Sequence, residues 1–125
     1  METWHEVAQE NQEAANRLLK LRLYRSMVSR AYYAVYAKAT HGLLAAPVPP
    51  NMPEGREGPS HSKLRPMIEN KLRSVSPELA RAVSGIVREL YILRVSADYR
   101  PSDSVDALAA RKALVLMRKA WNLLP

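Results

Sequence analysis

From Leu79 to Ala97 the apolar residues Leu79, Val83, Ile86, Leu90, Leu93 and Ala97 recur at alternating steps of four and three. That period is one face of an α-helix in a bundle seam, and a strand, which alternates at every second residue, cannot use it. Ser76-Pro77-Glu78 starts the segment. Serine caps a first turn, proline fits there without losing a hydrogen bond, and glutamate meets the positive end of the helix dipole. Pro101 stops the helix.

A seam needs partners, and the rest of the chain supplies them. The spacing predicts a first helix over about residues 2–22, with Trp4, Val7, Ala14, Leu18 and Leu21 on its apolar stripe. Its acids (Glu2, Glu6, Glu10, Glu13) lead and its bases (Arg17, Lys20, Arg22) follow, which complements the dipole. A second helix is predicted from about Tyr24 to Leu44, carrying Tyr24, Val28, Ala31 and Val35. A shorter one covers about Ser60 to Ser74, with Leu64, Met67, Ile68 and Leu72. The last is expected to be capped by Ser102 or Asp103 and to repeat the seam through Val105, Ala109, Ala113, Leu116 and Ala120. Between Ala45 and Pro59 stand five prolines and two glycines, so about 45–59 is read as a Pro-rich loop, long for a compact domain. The expected architecture is all-α: an antiparallel four-helix bundle with an additional short helix, in a single domain over residues 1–125.

Charge narrows the partners. With 19 Lys+Arg against 12 Asp+Glu, the chain carries a formal charge of +7, and it has no cysteine. Anionic partners are favoured, while disulfide scaffolds, Cys-ligated zinc and thiol catalysis are excluded. No apolar run approaches the ~20 residues of a membrane span. The Met1–Glu6 start has acids where a signal peptide needs bases. A cytoplasmic protein without membrane contact is expected.

Three features rise above the bundle. Between Ala14 and Pro53 there is no acidic residue, but Arg17, Lys20, Arg22, Arg25, Arg30 and Lys38 are interleaved with Tyr24, Tyr32, Tyr33 and Tyr36. Such bases neutralise phosphates and such rings stack on unpaired nucleobases, unless the rings fill the core and the bases are merely solvated. Second, Tyr91, Arg94 and Asp98 share a helix face beside Tyr99. That is either a surface ion pair or an arginine aimed at phosphate and oriented by Asp98. Third, His61 falls in the first turn of the short helix, where a positive imidazolium is disfavoured. A neutral ring there serves as a proton acceptor or as a structural hydrogen-bond partner. His5 and His41 are weaker candidates, and no His pair has metal-ligand spacing. No glycine-rich phosphate loop and no Ser-His-Asp signature occurs.

Ser29-Arg30-Ala31-Tyr32-Tyr33-Ala34 resembles the "S-R-A-Y-Y-A" helix of small prokaryotic HEPN-domain proteins. Ser60-His61-Ser62 resembles their short "T-H-S" element, and Arg94 to Tyr99 their "R-x-x-A-D-Y" ending, all in the family's order. The resemblance covers about residues 4–122. It implies a helical bundle, commonly a homodimer, often in toxin–antitoxin, CRISPR or phage-defence systems and often beside a minimal nucleotidyltransferase. Catalytic members are metal-independent ribonucleases, with no cofactor, whose signature is an Arg, four to six residues, then a His. Arg94 matches that Arg. Tyr99 stands where the His belongs, and no His follows Arg94. A tyrosine hydroxyl, with a pKa near 10, is a poor general base at pH 7.

The resemblance therefore implies an RNA- or nucleotide-binding protein with Arg94 on phosphate, shaped by Asp98 and Tyr99, with His61 as the remaining candidate proton carrier. Arg30, Tyr33, Arg25, Lys38 and Tyr91 are the further candidate binding residues. Endoribonuclease activity is left open by the missing His. The competing expectation is a non-catalytic module that docks a nucleotidyltransferase or other defence partner, with Tyr99 as a candidate nucleotidylation acceptor.

Overall fold

Thr3 and Glu6 open the first helix. The Thr3 hydroxyl accepts the Glu6 backbone N–H at 3.2 Å and the Glu6 carboxylate accepts the Thr3 N–H at 3.0 Å. This reciprocal pair satisfies donors that every helix start leaves free. The computed structural model describes residues 2–47, 49–52 and 55–125, and among these it contains five helices and no strand. They are α1 (Trp4–Lys20), α2 (Tyr24–Leu44), α3 (His61–Arg73), α4 (Pro77–Tyr99) and α5 (Ala107–Leu123).

α2 is the central element and packs against the other four helices. It therefore buries side chains around most of its girth, among them Met27, Val28, Ala31, Tyr32, Ala34, Val35, Ala39 and Leu43. A single stripe, as the sequence suggests, is too narrow for a helix in that place. α1, α2, α4 and α5 form the antiparallel bundle, and α3 is the additional short helix, packed mainly on α4. Ser76 caps α4 as its sequence implies, accepting the Leu79 N–H at 3.2 Å. The core joins Leu64, Ile68 and Leu72 of α3 to Val83, Val87 and Leu90 of α4 and to Ala113, Met117 and Ala120 of α5.

Two details depart from expectation. α5 starts at Ala107, capped by Asp106, whose Oδ1 accepts the Ala109 N–H at 3.0 Å, rather than by Ser102 or Asp103. Asp103 is occupied elsewhere: its carboxylate accepts the Ser96 hydroxyl at 2.8 Å, and its carbonyl accepts from Arg25. The deep seam of α5 accordingly runs through Ala110, Ala113, Met117 and Ala120, while Val105 and Ala109 are half-buried. Leu21, expected on the α1 stripe, is 67% exposed because it lies past the last turn, as that helix's C-cap. In the Pro-rich loop the described residues form no helix, and Val48, Pro53 and Glu54 lie outside the described residues. Among the described residues no helix is long and apolar enough to cross a membrane.

Candidate functional site

Tyr32 and Tyr33 are neighbours on α2, so their side chains leave the helix about 100° apart. Tyr32 turns inward and is buried; Tyr33 and Tyr36 are half-buried toward α1 and the loop. His61, at the start of α3, sits among four tyrosine rings, with centroids 5.4 Å away for Tyr32, 6.3 Å for Tyr33, 5.9 Å for Tyr36 and 5.3 Å for Tyr91. The three motifs of the sequence thus meet in one aromatic cluster.

Arg94 enters the cluster from α4. It lies four residues after Leu90 and three before Ala97, both buried, and is itself only 7% exposed. Its Nη2 donates to the Tyr33 hydroxyl at 2.8 Å and to the Tyr99 hydroxyl at 3.2 Å. Nε stands 2.9 Å from Asp98 Oδ2, an ion pair whose N–H points off the line to the oxygen and makes no hydrogen bond. Asp98 is steadied from α2, accepting the Ser29 hydroxyl at 3.1 Å. Burial works against the guanidinium charge, but Tyr33, Tyr99 and Asp98 outweigh it and raise its pKa above the ordinary value. A buried charge survives only with such compensation. Arg30 flanks the same ring, its Cζ 5.3 Å from the Tyr33 centroid, and its Nη1 donates to Asn11 at 3.1 Å.

The loop before α3 closes over this group. Trp4 Nε1 donates to the Glu57 carbonyl at 3.2 Å, and the Tyr36 hydroxyl to the Pro59 carbonyl at 2.7 Å. Gly58 fits between them because a Cβ there would stand 2.5 Å from the Tyr36 hydroxyl and 3.0 Å from Trp4 Cζ2. This latch sets the charge of Arg56 within range of the cluster.

The protonation states follow. His61 is pushed below its ordinary pKa by burial, then by the charges of Arg94 and Arg56, so it is neutral at pH 7. Burial above all raises the pKa of Tyr32 and of Tyr36. The Tyr32 hydroxyl lies 2.7 Å from His61 Nδ1 and makes its one hydrogen bond there. A buried hydroxyl proton needs an acceptor, so Tyr32 donates, and the neutral ring carries its own proton on Nε2. The cluster then holds one buried cation on phenol and carboxylate oxygens, beside a neutral histidine.

The structure gathers Arg94, Asp98, Tyr99, Tyr33, Arg30, Tyr91 and His61; of the other two candidates, Arg25 borders Ser29, Arg30 and Asp98 but spends its donors on backbone carbonyls, and Lys38 lies elsewhere. Arg25 donates Nη1 to the carbonyls of Ser96 at 3.0 Å, Ala97 at 3.2 Å and Arg100 at 3.2 Å, and Nη2 to those of Pro101 at 3.2 Å and of Asp103. It closes the C-terminus of α4, where carbonyls are unpaired and positive charge is favoured. Lys38 lies near the end of α5, its Nζ on the Trp121 carbonyl and 4.5 Å from the Trp121 ring centroid. Sequence reasoning missed Arg56, Trp4 and Gly58. The one available signal was Gly58-Pro59 directly ahead of Ser60-His61, which marks a chain held at a fixed entry angle. Among the described residues no three His, Asp or Glu side chains gather as metal ligands.

Against known proteins, a family model described as HEPN domain matches residues 1–124. No curated protein matches the chain, and no solved structure does.

Proposed function

The chain belongs to the HEPN-domain family, and from that premise we propose that it is an RNA- or nucleotide-binding protein of a toxin–antitoxin or phage-defence module, taking phosphate at Arg94. One observation carries the reading: Arg94 is kept charged inside the bundle, and its outer cover is Tyr99, the last residue of α4 and 65% exposed. The Tyr99 hydroxyl holds one Nη2 hydrogen bond at 3.2 Å, and its ring centroid is 4.9 Å from Cζ. A phosphate oxygen replaces that hydroxyl as acceptor, with the far stronger attraction of a charged partner. Tyr33 and Asp98 keep the guanidinium in place meanwhile.

The same geometry favours binding over cleavage. Attack by a ribose 2′-hydroxyl needs a group that takes its proton. His61 has its Nδ1 lone pair engaged by Tyr32 and presents Nε2–H. Asp98 is committed to Arg94. The reading includes the homodimer common in the family and a cytoplasmic location. Ile92, Leu108 and Val115, apolar and exposed on α4 and α5, support a partner surface there.

The test is fluorescence anisotropy with a labelled single-stranded RNA at two salt concentrations, plus a cleavage lane containing EDTA. Wild type is expected to bind, to weaken steeply with salt, and to leave the RNA intact, while Arg94→Ala binds at least tenfold more weakly. Salt-insensitive or absent binding, or an unchanged Arg94→Ala, removes the reading. EDTA-resistant cleavage lost in Arg94→Ala and His61→Ala keeps the site and makes it catalytic.

Tyr99's exposure also favours a second reading, in which the bundle docks a nucleotidyltransferase that modifies that hydroxyl. A partner complex stable at high salt and indifferent to Arg94→Ala supports it. Absence of a nucleotide adduct by mass spectrometry, after incubation with partner and ATP, removes the modification.

A further inference from the structure

We propose that the cavity between α3 and α4 is an adjoining site for one nucleoside monophosphate unit, its phosphate held by Arg65 and Arg88 and its base laid on Tyr91. The proposal rests on the preceding reading for the source of the ligand; the cavity shares Tyr32, His61 and Tyr91 with the aromatic cluster, while its cations, Arg65 and Arg88, are its own.

The cavity holds about 380 Å³, and Arg94 does not line it. Ligand pockets run from roughly 300 to 1,000 Å³, so this one suits a single nucleotide and excludes a buried oligonucleotide. Its cations are unspent. Arg65 donates Nε to the hydroxyl of Ser84 at 3.1 Å, and Ser84 is itself buried. Anchoring through Nε fixes the plane of the guanidinium and leaves both Nη groups for an incoming anion. Arg88, exposed one helix away, has no ion-pair partner among the described residues. Glu69 is the one carboxylate on the wall, and it faces Arg73 at 4.0 Å. Two free guanidiniums in a concave wall call for an anion with several oxygens.

The remaining wall calls for a planar ring. Tyr91 and His61 stand 5.3 Å apart, and Tyr91 and Tyr32 5.7 Å, so the Tyr91 ring is braced from two sides and only half-buried. A braced, partly open tyrosine face stacks any nucleobase. Polar recognition is available beside it. Pro66 has no N–H, so the Ser62 carbonyl four residues earlier loses its intrahelical donor, and both residues line the cavity. His61 adds Nε2–H.

The experiment titrates the full chain with AMP, GMP, CMP, UMP and inorganic phosphate by calorimetry and by NMR shifts. Saturable binding of at least one mononucleotide is expected, weakened at least tenfold in Arg65→Gln/Arg88→Gln. Tyr91→Leu is expected to weaken the nucleotide but not inorganic phosphate. Arg88 is exposed and Arg65 only half-buried, so circular dichroism should find that double variant folded. RNA with and without a 5′-phosphate separates the sources: preference for the phosphorylated end assigns an RNA terminus, and indifference with mononucleotide binding assigns a free nucleotide. Absence of saturable mononucleotide binding, or binding unaffected by the double variant, overturns the proposal. Loss of RNA binding in Arg94→Gln with unchanged RNA and nucleotide binding in Arg65→Gln/Arg88→Gln would sink this site and leave the Arg94 reading standing.

Discussion

Arg94 and Tyr33, one on α4 and one on α2, are joined by a 2.8 Å hydrogen bond from Nη2 to the phenol oxygen, with Cζ 5.3 Å from the ring centroid. The contact ties the end of the fourth helix to the middle of the second and orients the buried cation. Tyr33→Phe keeps the ring and removes the acceptor. We expect a loss of about 1–2 kcal/mol in urea unfolding, because a charged donor inside the bundle loses its better-placed neutral partner. Tyr99→Phe removes an acceptor that water can replace, and should cost under about 1 kcal/mol. Equal costs for the two would contradict the burial of this contact.

His61 gives a pH signature. Its pKa is depressed in the folded chain by burial and by Arg94 and Arg56, whereas an unfolded histidine titrates near 6.5. Between the two values the unfolded chain binds more protons, so stability rises with pH through that window. The His61 contribution is fully present above the unfolded pKa and is lost as pH falls below it toward the folded value. NMR should find the His61 midpoint below 6.5 and, since Arg94 is one cause, a higher midpoint in Arg94→Met. A midpoint at or above the ordinary value would show that the ring is not in the electropositive cluster.

Much of this was readable in the chain, for identifiable reasons. The seam from Leu79 to Ala97 shows helix α4 because its period is local. It also contained the position of Arg94, between Leu90 and Ala97 on the same face, but a hydropathy pattern scores arginine as polar and passes over it. The meeting of His61 with Arg94 was not readable, since it depends on α2 presenting Tyr32 to one and Tyr33 to the other. Arg25 looked like one base among six in an acid-free stretch; its carbonyl partners lie more than seventy residues away. Asp103 is a good local cap, and its contacts to Arg25 and Ser96 draw it away from that role.

Gly58 is predicted to be the least replaceable glycine. The Cβ of Gly58→Ala would press on the Tyr36 hydroxyl and the Trp4 ring together. The latch must open or the helices must part, at a cost of about 1–3 kcal/mol, as for other overpacked sites. Trp4 fluorescence, read in a Trp121→Phe background, should shift to the red. Gly85→Ala, with nothing within 4 Å of its Cβ, should instead stabilise α4 by up to about 1 kcal/mol through helix propensity.

Arg25→Lys tests whether that cation is structural. A lysine keeps the charge, but its single ammonium cannot reach the spread of carbonyls that the fork serves. Freed carbonyls at a helix end leave the α4–α5 connection open to fraying. The expected loss is about 1–3 kcal/mol, with faster amide exchange across residues 96–103. RNA affinity should change little, because this guanidinium is already filled. A large drop in affinity with unchanged stability would return Arg25 to the nucleic-acid surface.

Arg22 bears the one non-glycine positive φ among the described residues, 60°. It occupies the turn between α1 and α2, where its N–H donates to the Leu19 carbonyl at 3.1 Å and the Leu23 N–H to the Leu18 carbonyl at 3.0 Å. That pair of bonds is a Schellman ending, and its left-handed residue is ordinarily glycine, because a Cβ there crowds the next carbonyl. Arg22→Gly should therefore stabilise the protein by about 0.5–1 kcal/mol, even though glycine adds freedom to the unfolded chain. Arg22→Val should destabilise it by more than that, since a β-branched residue fits left-handed backbone worst. Both are read from urea midpoints at unchanged slope. If glycine lowered the midpoint, the arginine side chain would have to be holding this turn by a contact of its own.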